Sequence, residues 1–298
     1  MTNTISPESR AAFRDPVLGA RRELALPQGT LTVFDSGSGD PIVFVHGLLA
    51  NANLWRKVIA PLSVEFRCIA IDLPMGSHTT AMPDADLTPP GLAQLVIAAI
   101  EELDLGPVTL VGNDSGGAVS QLVVAGRPDL VARLVLTSCD AYENFPPPFF
   151  NYVGLAARTP GALTVLALSL RIRATRRLPI AYGWLARGPI EPAVSDSYAL
   201  PVNAKPIRED VRRVITGIDS RYTLSAAKTF GEFKQPVLLA FSAGDRFFPA
   251  RYAERLAADF ADARIELIHD SRTFSPEDQP AQLVSAIRAF LESTRDQR

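Results

Sequence analysis

The sequence predicts an α/β fold in which a mostly parallel sheet of eight strands lies between layers of helices. Short apolar runs alternate along the chain with longer segments of helical periodicity. One such run, at 108–111, passes through a glycine-rich turn directly into an apolar helical segment. From about residue 140 to about residue 220 the alternation stops. Strands separated by helices are typical of parallel sheets covered on both faces, and the interruption indicates an inserted helical segment.

The individual elements follow from the same patterns. Strands are predicted at 23–26, 31–34, 42–45, 66–71, 108–111, 134–137, 237–241 and 265–268, the first two being paired through a turn at Pro27 and Gly29. Helices are predicted at 51–62, 92–103, 115–125, 250–260 and 280–291. The glycine-rich loop at 36–40 precedes a strand and not a helix, so it does not predict a dinucleotide site. We expect no cofactor and no metal.

Composition limits the classes of partner. The chain has 298 residues, 47% of them hydrophobic, and a net charge of −2, so no basic field favours nucleic acid or a membrane surface. The N-terminal residues 1–14 are polar and contain Pro7, which is untypical of a secretory signal. The longest apolar run, 161–170, is too short to span a bilayer. We expect a soluble, cytoplasmic protein that binds a small molecule; the sequence does not indicate its oligomeric state.

The interruption of the pattern divides the chain into two predicted domains. Residues 1–139 and 221–298 form the sheet-containing core, and residues 140–220 form a helical cap after the sixth strand. The cap is rich in aromatic residues, which favour packing but could also contact a substrate. Helical insertions of this kind act as lids that exclude water and select substrates by size. We therefore expect a mobile lid.

The chain is organised around residues 112–116, which read Gly-Asn-Asp-Ser-Gly between a strand and a helix. This spacing predicts a nucleophile elbow, a sharp strained turn that presents its central residue to a pocket. The central residue is Asp114. A shifted register would make Ser115 the apex, but would place Asn113 where a small residue is needed. The segment could also be a plain glycine-rich joint between strand and helix.

With these motifs the chain resembles the α/β-hydrolase superfamily over nearly its whole length. It is most similar to the branch that includes haloalkane dehalogenases and epoxide hydrolases, in which the elbow nucleophile is an aspartate. The matching features are His46-Gly47 after the third strand, the Asp114 elbow, the insertion after the sixth strand, and residues 242–249. The resemblance implies an α/β-hydrolase fold with a cap, and it implies that Asp114 is the nucleophile.

The resemblance also assigns the groups around that nucleophile. The backbone N–H groups of Leu48 and Ser115 would form an oxyanion hole, and Asp245 would be the acid that orients a catalytic histidine. Asp245 could instead cap a helix or pair with Arg246. An aspartate nucleophile suits attack on an alkyl carbon, because the product is an ordinary ester, whereas acyl transfer would give a reactive anhydride. Halides or epoxides are therefore favoured over esters.

The sequence departs from the family at the histidine. Similar enzymes carry it seven residues before the proline that opens the last helix; here that proline is Pro280 and the residue is Thr273. His269 is the candidate replacement if its loop folds back, although a surface position is the simpler interpretation. Thr273→His is expected to be tolerated in a surface loop and to restore a general base.

The other two histidines have simpler roles. We expect His46 to be structural and His78 to be a solvated loop residue with a possible substrate contact. Tyr182 or Tyr198 of the cap could polarise an epoxide oxygen. Ser115 also stands where a halide-stabilising tryptophan is expected, which argues against a dehalogenase.

Three functions remain open at this level. The first is a hydrolase of a small, largely apolar substrate that uses Asp114 covalently with an unusual base. The second is a cofactor-free lyase, isomerase or cyclase, in which Asp114 and Asp245 form an acid–base pair because two close carboxylates raise one pKa. The third is a ligand-binding protein that has lost turnover.

Overall fold

Eight strands form one sheet in the computed structural model, which describes residues 6–295. The strands are β1 (Ala20–Leu26), β2 (Gly29–Ser36), β3 (Pro41–Val45), β4 (Arg67–Asp72), β5 (Val108–Asp114), β6 (Val131–Cys139), β7 (Val237–Ser242) and β8 (Ala263–Ile268). Their order in the sheet is β1-β2-β4-β3-β5-β6-β7-β8. β1 and β2 are antiparallel to each other and β2 is antiparallel to β4, whereas all pairs from β4 to β8 are parallel.

The helices connect these strands. They are α1 (Pro7–Ala11), α2 (Arg56–Leu62), α3 (Pro89–Glu102), α4 (Ser115–Gly126), α5 (Asn151–Arg158), α6 (Ala162–Ser169), α7 (Arg173–Arg176), α8 (Pro192–Ala199), α9 (Lys205–Gly217), α10 (Ser220–Ala227), α11 (Ala250–Asp259), α12 (Ser275–Asp278) and α13 (Pro280–Ser293). Short 3₁₀ turns occur at 16–18, 52–55, 128–130, 148–150, 201–203 and 230–232. One group of mutually packed helices contains α3, α4 and α10, and a second contains α2, α12 and α13. No helix within residues 6–295 is both long and apolar enough to cross a membrane.

The predicted fold class is confirmed, and each predicted strand is present. The structure lengthens seven of the strands by one to five residues, β6 most of all, and shifts β4 by one residue. The predicted helix at 51–62 begins with the 3₁₀ turn at 52–55. Every residue of β5 is buried, which agrees with a parallel strand covered on both faces. Residues 1–5 of the N-terminal segment discussed above lie outside the described residues.

Between β6 and β7 the described chain forms helices and turns, apart from a single bridge between Ala141 and Asn144. Helices α5 to α10 lie between these two strands. Helix α10 contacts α4. The division into a core of residues 1–139 and 221–298 and a helical cap of residues 140–220 stays a prediction. That residues 140–220 act as a mobile lid stays a prediction.

Two buried carboxylates connect the helical segment to its surroundings. The first is Asp196 of α8, which accepts hydrogen bonds from Arg173 and Arg176 at 2.6 Å each. Arg10 of α1 lies 3.6 Å from the same carboxylate. Asp196 and Arg176 are both almost fully buried. One carboxylate thus connects α1, α7 and α8.

The second is Asp210 of α9, which holds the loop between β4 and α3. The N–H of Met82 donates to Asp210 at 2.7 Å, and Nε2 of His78 lies 3.2 Å from the same oxygen. Nδ1 of His78 accepts from the N–H of Gly76, which leaves the proton on Nε2, facing Asp210. The expectation of a solvated His78 is therefore wrong, because the ring is buried between the loop and α9.

Candidate active site at the end of strand β5

Asp114 occupies the turn between β5 and α4, as the elbow spacing predicts. Its backbone has φ 54° and ψ −131°, a left-handed conformation that costs a non-glycine residue roughly 1–2 kcal/mol. Ser115 already belongs to helix α4, so the shifted register with Ser115 at the apex is wrong. A Cβ atom on Gly116 would lie 2.4 Å from the carbonyl oxygens of Val45 and His46. Only glycine allows β3 and α4 to approach this closely.

The Asp114 carboxylate faces two backbone donors. The N–H groups of Ser115 and Leu48 hydrogen-bond to it, which are the two groups that the sequence assigns to an oxyanion hole. Gly47 makes this approach possible, since a Cβ atom there would lie 2.1 Å from Oδ2 of Asp114. The arrangement can hold negative charge on an oxygen attached to the Asp114 side-chain carbon.

His46 supports the loop that carries Leu48. Its Nε2 accepts from the N–H of Leu73 at 3.0 Å, so Nδ1 carries the proton and donates to the carbonyl of Gly47 at 2.8 Å. Burial lowers the pKa of His46 to about 4, and the ring is neutral at physiological pH. These contacts agree with the structural role that we expected.

A second carboxylate, Asp140, shares the site and was not predicted from the sequence. It follows β6 directly, is buried, and lines the same cavity as Asp114. Its Oδ1 has no hydrogen-bond partner among residues 6–295. Burial, and then the charge of Asp114, raise the pKa of Asp140 well above its usual value, against a hydrogen bond with the Ser115 side chain. Two backbone N–H groups donate to Asp114 and favour its ionised form, whereas Oδ1 of Asp140 has no donor among these residues, so the contacts favour a proton on Asp140 over one on Asp114.

The pKa of Asp114 is also raised, to about 7. Burial is the largest cause and the charge of Asp245 adds to it, whereas the hydrogen bonds from Ser115 and Leu48 lower the value. Because the charge of Asp114 raises the pKa of Asp140, ionisation of both carboxyl groups at once is unfavourable. At neutral pH the pair can present one carboxylate and one carboxylic acid, a nucleophile or base beside an acid.

We expect this buried pair to make the protein less stable as pH rises. Asp114 has a pKa of about 7 in the folded protein and about 3.9 when unfolded. Between these values the folded state binds more protons, so the free energy of unfolding falls as pH rises from about 4 through about 7. Urea unfolding across this range checks the slope, which should flatten in Asp114→Asn. The exposed Asp262→Asn serves as control; equal slopes in all three proteins would contradict the prediction.

Asp245 lies behind the site and does not line the cavity. Its Oδ1 accepts from the N–H groups of Phe247 and Phe248 at 2.8 and 3.0 Å, and from the Thr273 hydroxyl at 3.2 Å. Burial raises the pKa of Asp245 against these hydrogen bonds. The side chain therefore holds the turn before α11, whose N-cap is Pro249. Its role as the acid of a catalytic triad stays a prediction. Arg246 forms no pair with it and instead lies over the Trp184 ring.

Thr273, which the resemblance places where similar enzymes carry a histidine, is fully buried. Its hydroxyl faces Asp245, and its carbonyl accepts from the Asn113 side chain at 2.8 Å. The expectation of a tolerant surface loop is therefore wrong.

We expect Thr273→His to lower the free energy of unfolding by about 1–3 kcal/mol, because the imidazole overpacks a filled site. We expect no gain in turnover, because neither Thr273 nor Asp245 reaches the cavity. Thermal unfolding and activity of this variant and of Thr273→Ser, which keeps the hydroxyl, check both points. A stable Thr273→His protein with increased turnover would refute the prediction.

The other predicted site residues are not brought together. His269 lies at the end of β8 and is exposed; its backbone N–H donates to Gln282, and it does not line the cavity. The expectation that its loop folds back into the pocket is wrong. Tyr198 also lies outside the cavity and bonds Glu277, whereas Tyr182 lines it but donates its hydroxyl to the carbonyl of Leu49.

The cavity above Asp114 has a volume of about 640 Å³ and mostly apolar walls. Its floor is formed by Leu48, Asp114, Ser115 and Asp140. Its walls come mainly from α5, α6 and the segment 170–185, and α9 adds Val211 and Ile215. No histidine, lysine or cysteine is among its lining residues within 6–295. Residues 6–295 as a whole contain no group of three or more acids, histidines or cysteines arranged to bind a metal ion. The site accepts a small apolar molecule and offers it two carboxyl groups.

Comparison with known proteins places this architecture in a family. A family model for the α/β hydrolase fold matches residues 40–280, and the chain belongs to this family. An uncharacterized hydrolase of Bacillus subtilis, YugF, is 25% identical over 84% of this chain and 89% of its own length.

More specific names occur among the relatives. A haloalkane dehalogenase of Mesorhizobium japonicum is 29% identical over 57% of this chain and 58% of its own. The solved structure of the epoxide hydrolase CorEH has a TM-score of 0.78 at 19% identity, covering 93% of this chain and 99% of that one. The chain is thus a hydrolase of the α/β-hydrolase fold. It is similar in sequence to a haloalkane dehalogenase, and its fold is similar to that of an epoxide hydrolase.

Proposed function

We propose that this chain hydrolyses a small, largely apolar epoxide, with Asp114 as nucleophile and Asp140 as the acid and base that replaces the missing histidine. The observation that carries the proposal is the pair of buried carboxyl groups at the floor of one apolar cavity, beside the N–H groups of Leu48 and Ser115. The sequence-based alternative in which Asp245 supplies the second carboxylate is not retained, because Asp245 lies outside the cavity.

The first step opens the ring. The Asp114 carboxylate attacks an epoxide carbon and forms a C–O bond, while the bond from that carbon to the ring oxygen breaks. The ring oxygen takes the proton of Asp140 as its charge develops. The products of this step are a hydroxyalkyl ester on Asp114 and an ionised Asp140. The raised proton affinity of Asp140 suits it to hold that proton at neutral pH.

The second step releases the product. Asp140 removes a proton from water as the water oxygen bonds to the ester carbonyl carbon of Asp114. The resulting oxyanion is held by the N–H groups of Leu48 and Ser115. When the intermediate collapses, the diol oxygen leaves and takes the proton back from Asp140. Asp114 is then protonated, and transfer of that proton to Asp140 restores the starting pair, so one epoxide and one water give one diol.

An epoxide fits this cavity better than a haloalkane does. An epoxide oxygen needs a proton on leaving, and Asp140 can supply it. A halide leaves as an anion and needs N–H donors, but Trp55 and Trp184 do not line the cavity. The pair of acids would also repel the departing anion. Haloalkane hydrolysis is accordingly the second candidate, and the relation to a haloalkane dehalogenase favours it.

The test is a single turnover in ¹⁸O-labelled water with enzyme in excess over each member of an epoxide panel. If Asp114 forms the ester, the first label enters the Asp114 carboxylate, because water attacks the carbonyl carbon, and the diol stays unlabelled. Peptide mass spectrometry locates the label. Label in the diol alone would mean direct attack of water on the epoxide and would overturn the covalent step. If the product has not gained the mass of water, the lyase, isomerase or cyclase alternative is favoured. If the compound binds and no product forms, a ligand-binding protein is favoured.

A further inference from the structure

Helix α6 is apolar on all sides, yet only one side is covered. Leu163 and Leu166 point toward the cavity and line it. On the other side, Val165 is 66% exposed and Leu168 is 48% exposed. A helix that is apolar all round is normally buried. The outer face of α6 therefore exposes apolar side chains to solvent that a helix of this composition normally buries.

The exposed apolar surface extends beyond this helix. Ile172, between α6 and α7, is 59% exposed, and Leu155 of α5 is 69% exposed. Leu178 and Ile180, after α7, are exposed as well. Leu155, Leu178 and Ile180 also line the cavity. The exposed surface, which we call the cap apolar face, is thus continuous with the entrance of the cavity.

This face carries a strong positive charge in a chain that is negative overall. Residues 144–190 contain six arginines and no aspartate or glutamate, whereas the whole chain has a net charge of −2. Arg158, Arg171 and Arg177 are exposed, and none of the three forms an ion pair with an acid among residues 6–295. Arg158 also lines the cavity. Exposed leucine and isoleucine beside unpaired arginine is typical of surfaces that bind anionic lipid headgroups.

We propose that the cap apolar face docks on an anionic lipid surface, with its apolar side chains at the acyl boundary and its arginines at the headgroups. A second copy of this chain fits less well, because a two-fold interface would bring the same arginines together. Docking in this way directs the cavity entrance toward the bilayer, where apolar molecules concentrate. The proposal goes beyond the hydrolysis proposed above and does not depend on it.

The test is flotation of the purified chain with phosphatidylcholine vesicles that contain or lack phosphatidylglycerol, at low and at high salt. We expect flotation with the anionic vesicles at low salt, and weaker flotation at high salt because the charges are screened. Arg171→Gln with Arg177→Gln should lower the partition coefficient about 25-fold, at about fivefold for each charge. Leu168→Ser with Ile172→Ser should also lower it. The matched controls, Val64→Ser and Arg251→Gln, change an exposed valine and an exposed arginine outside the cap and should bind like the wild type.

Several results would overturn the proposal. They are absence of flotation at low salt, equal flotation with neutral vesicles, or equal losses in the control variants. Sedimentation velocity without vesicles tests whether a second copy of the chain covers the cap apolar face instead. If the wild type is a dimer and the Leu168→Ser, Ile172→Ser variant is a monomer, the face is a protein interface and the lipid proposal is wrong. Circular dichroism checks that each variant is folded.

Discussion

Asp114→Asn is expected to abolish turnover while the protein stays folded. Asparagine keeps the shape of the side chain, and it tolerates the left-handed backbone that Asp114 adopts, but it cannot attack a carbon as a carboxylate does. Loss of a nucleophile that acts within a catalytic group costs on the order of 10⁴–10⁶ in kcat. Initial rates on an epoxide hydrolysed by the wild type measure the loss, and thermal unfolding checks the fold.

The matched comparison is Ser115→Ala, which keeps the backbone N–H that faces Asp114. This variant should retain measurable turnover, since the Ser115 hydroxyl forms no bond to substrate in the proposed mechanism. If Asp114→Asn keeps its activity and Ser115→Ala loses it, the nucleophile is Ser115. The proposed mechanism would then be wrong.

Asp140→Asn is expected to stop the reaction after the ester has formed. Without a base, attack of water on the Asp114 ester slows by about 10²–10⁴, which is roughly 3–5 kcal/mol in the barrier at about 1.36 kcal/mol per factor of ten. Ring opening also slows, since the acid that protonates the ring oxygen is lost. Given excess substrate and time, the ester should accumulate, and intact mass spectrometry should show an adduct of the substrate's mass on Asp114.

Asp245→Asn is the control for this variant, because it makes the same change to another buried aspartate outside the cavity. We expect it to lower stability through the turn before α11 and to turn over substrate without accumulating an adduct. An adduct in Asp245→Asn and none in Asp140→Asn would assign the base to Asp245. That outcome would restore the family's usual arrangement in place of the one proposed here.

Most of the fold could be predicted because its signals are local. Periodicity locates strands and helices, and the glycines at 112 and 116 determine which residue lies at the apex of the turn before α4. The roles of histidines could not be predicted in the same way. His78 is part of a loop in the sequence but is buried because α9, far along the chain, brings Asp210 to it. His269 ends a strand on the exposed edge of the sheet, where no later element covers it.

Asp140 was missed although the sequence carries a signal for it. β6 is the parallel neighbour of β5 in the sheet, so the residues that follow both strands meet at the same edge. Asp140 directly follows β6, as Asp114 ends β5. The change of pattern at residue 140 was interpreted only as the start of the cap. Thr273 shows a different limit: its burial depends on contacts with surrounding loops, and no local pattern in the sequence reports those contacts.

The two carboxylates that connect the helical segment to its surroundings anchor some of its helices and not others. Asp196 and Asp210 hold α8 and α9 through buried partners, and removing one partner of a buried ion pair such as Asp196–Arg176 costs about 3–5 kcal/mol. Helices α5 and α6 pack on α9 through apolar side chains, and within residues 6–295 no buried carboxylate of this kind holds their outer side. We therefore expect α5 and α6 to swing about a hinge near α7 while α9 stays in place. Substrates of different length would then be accommodated by displacement of one side of the entrance, with the distance from α9 to Asp114 unchanged.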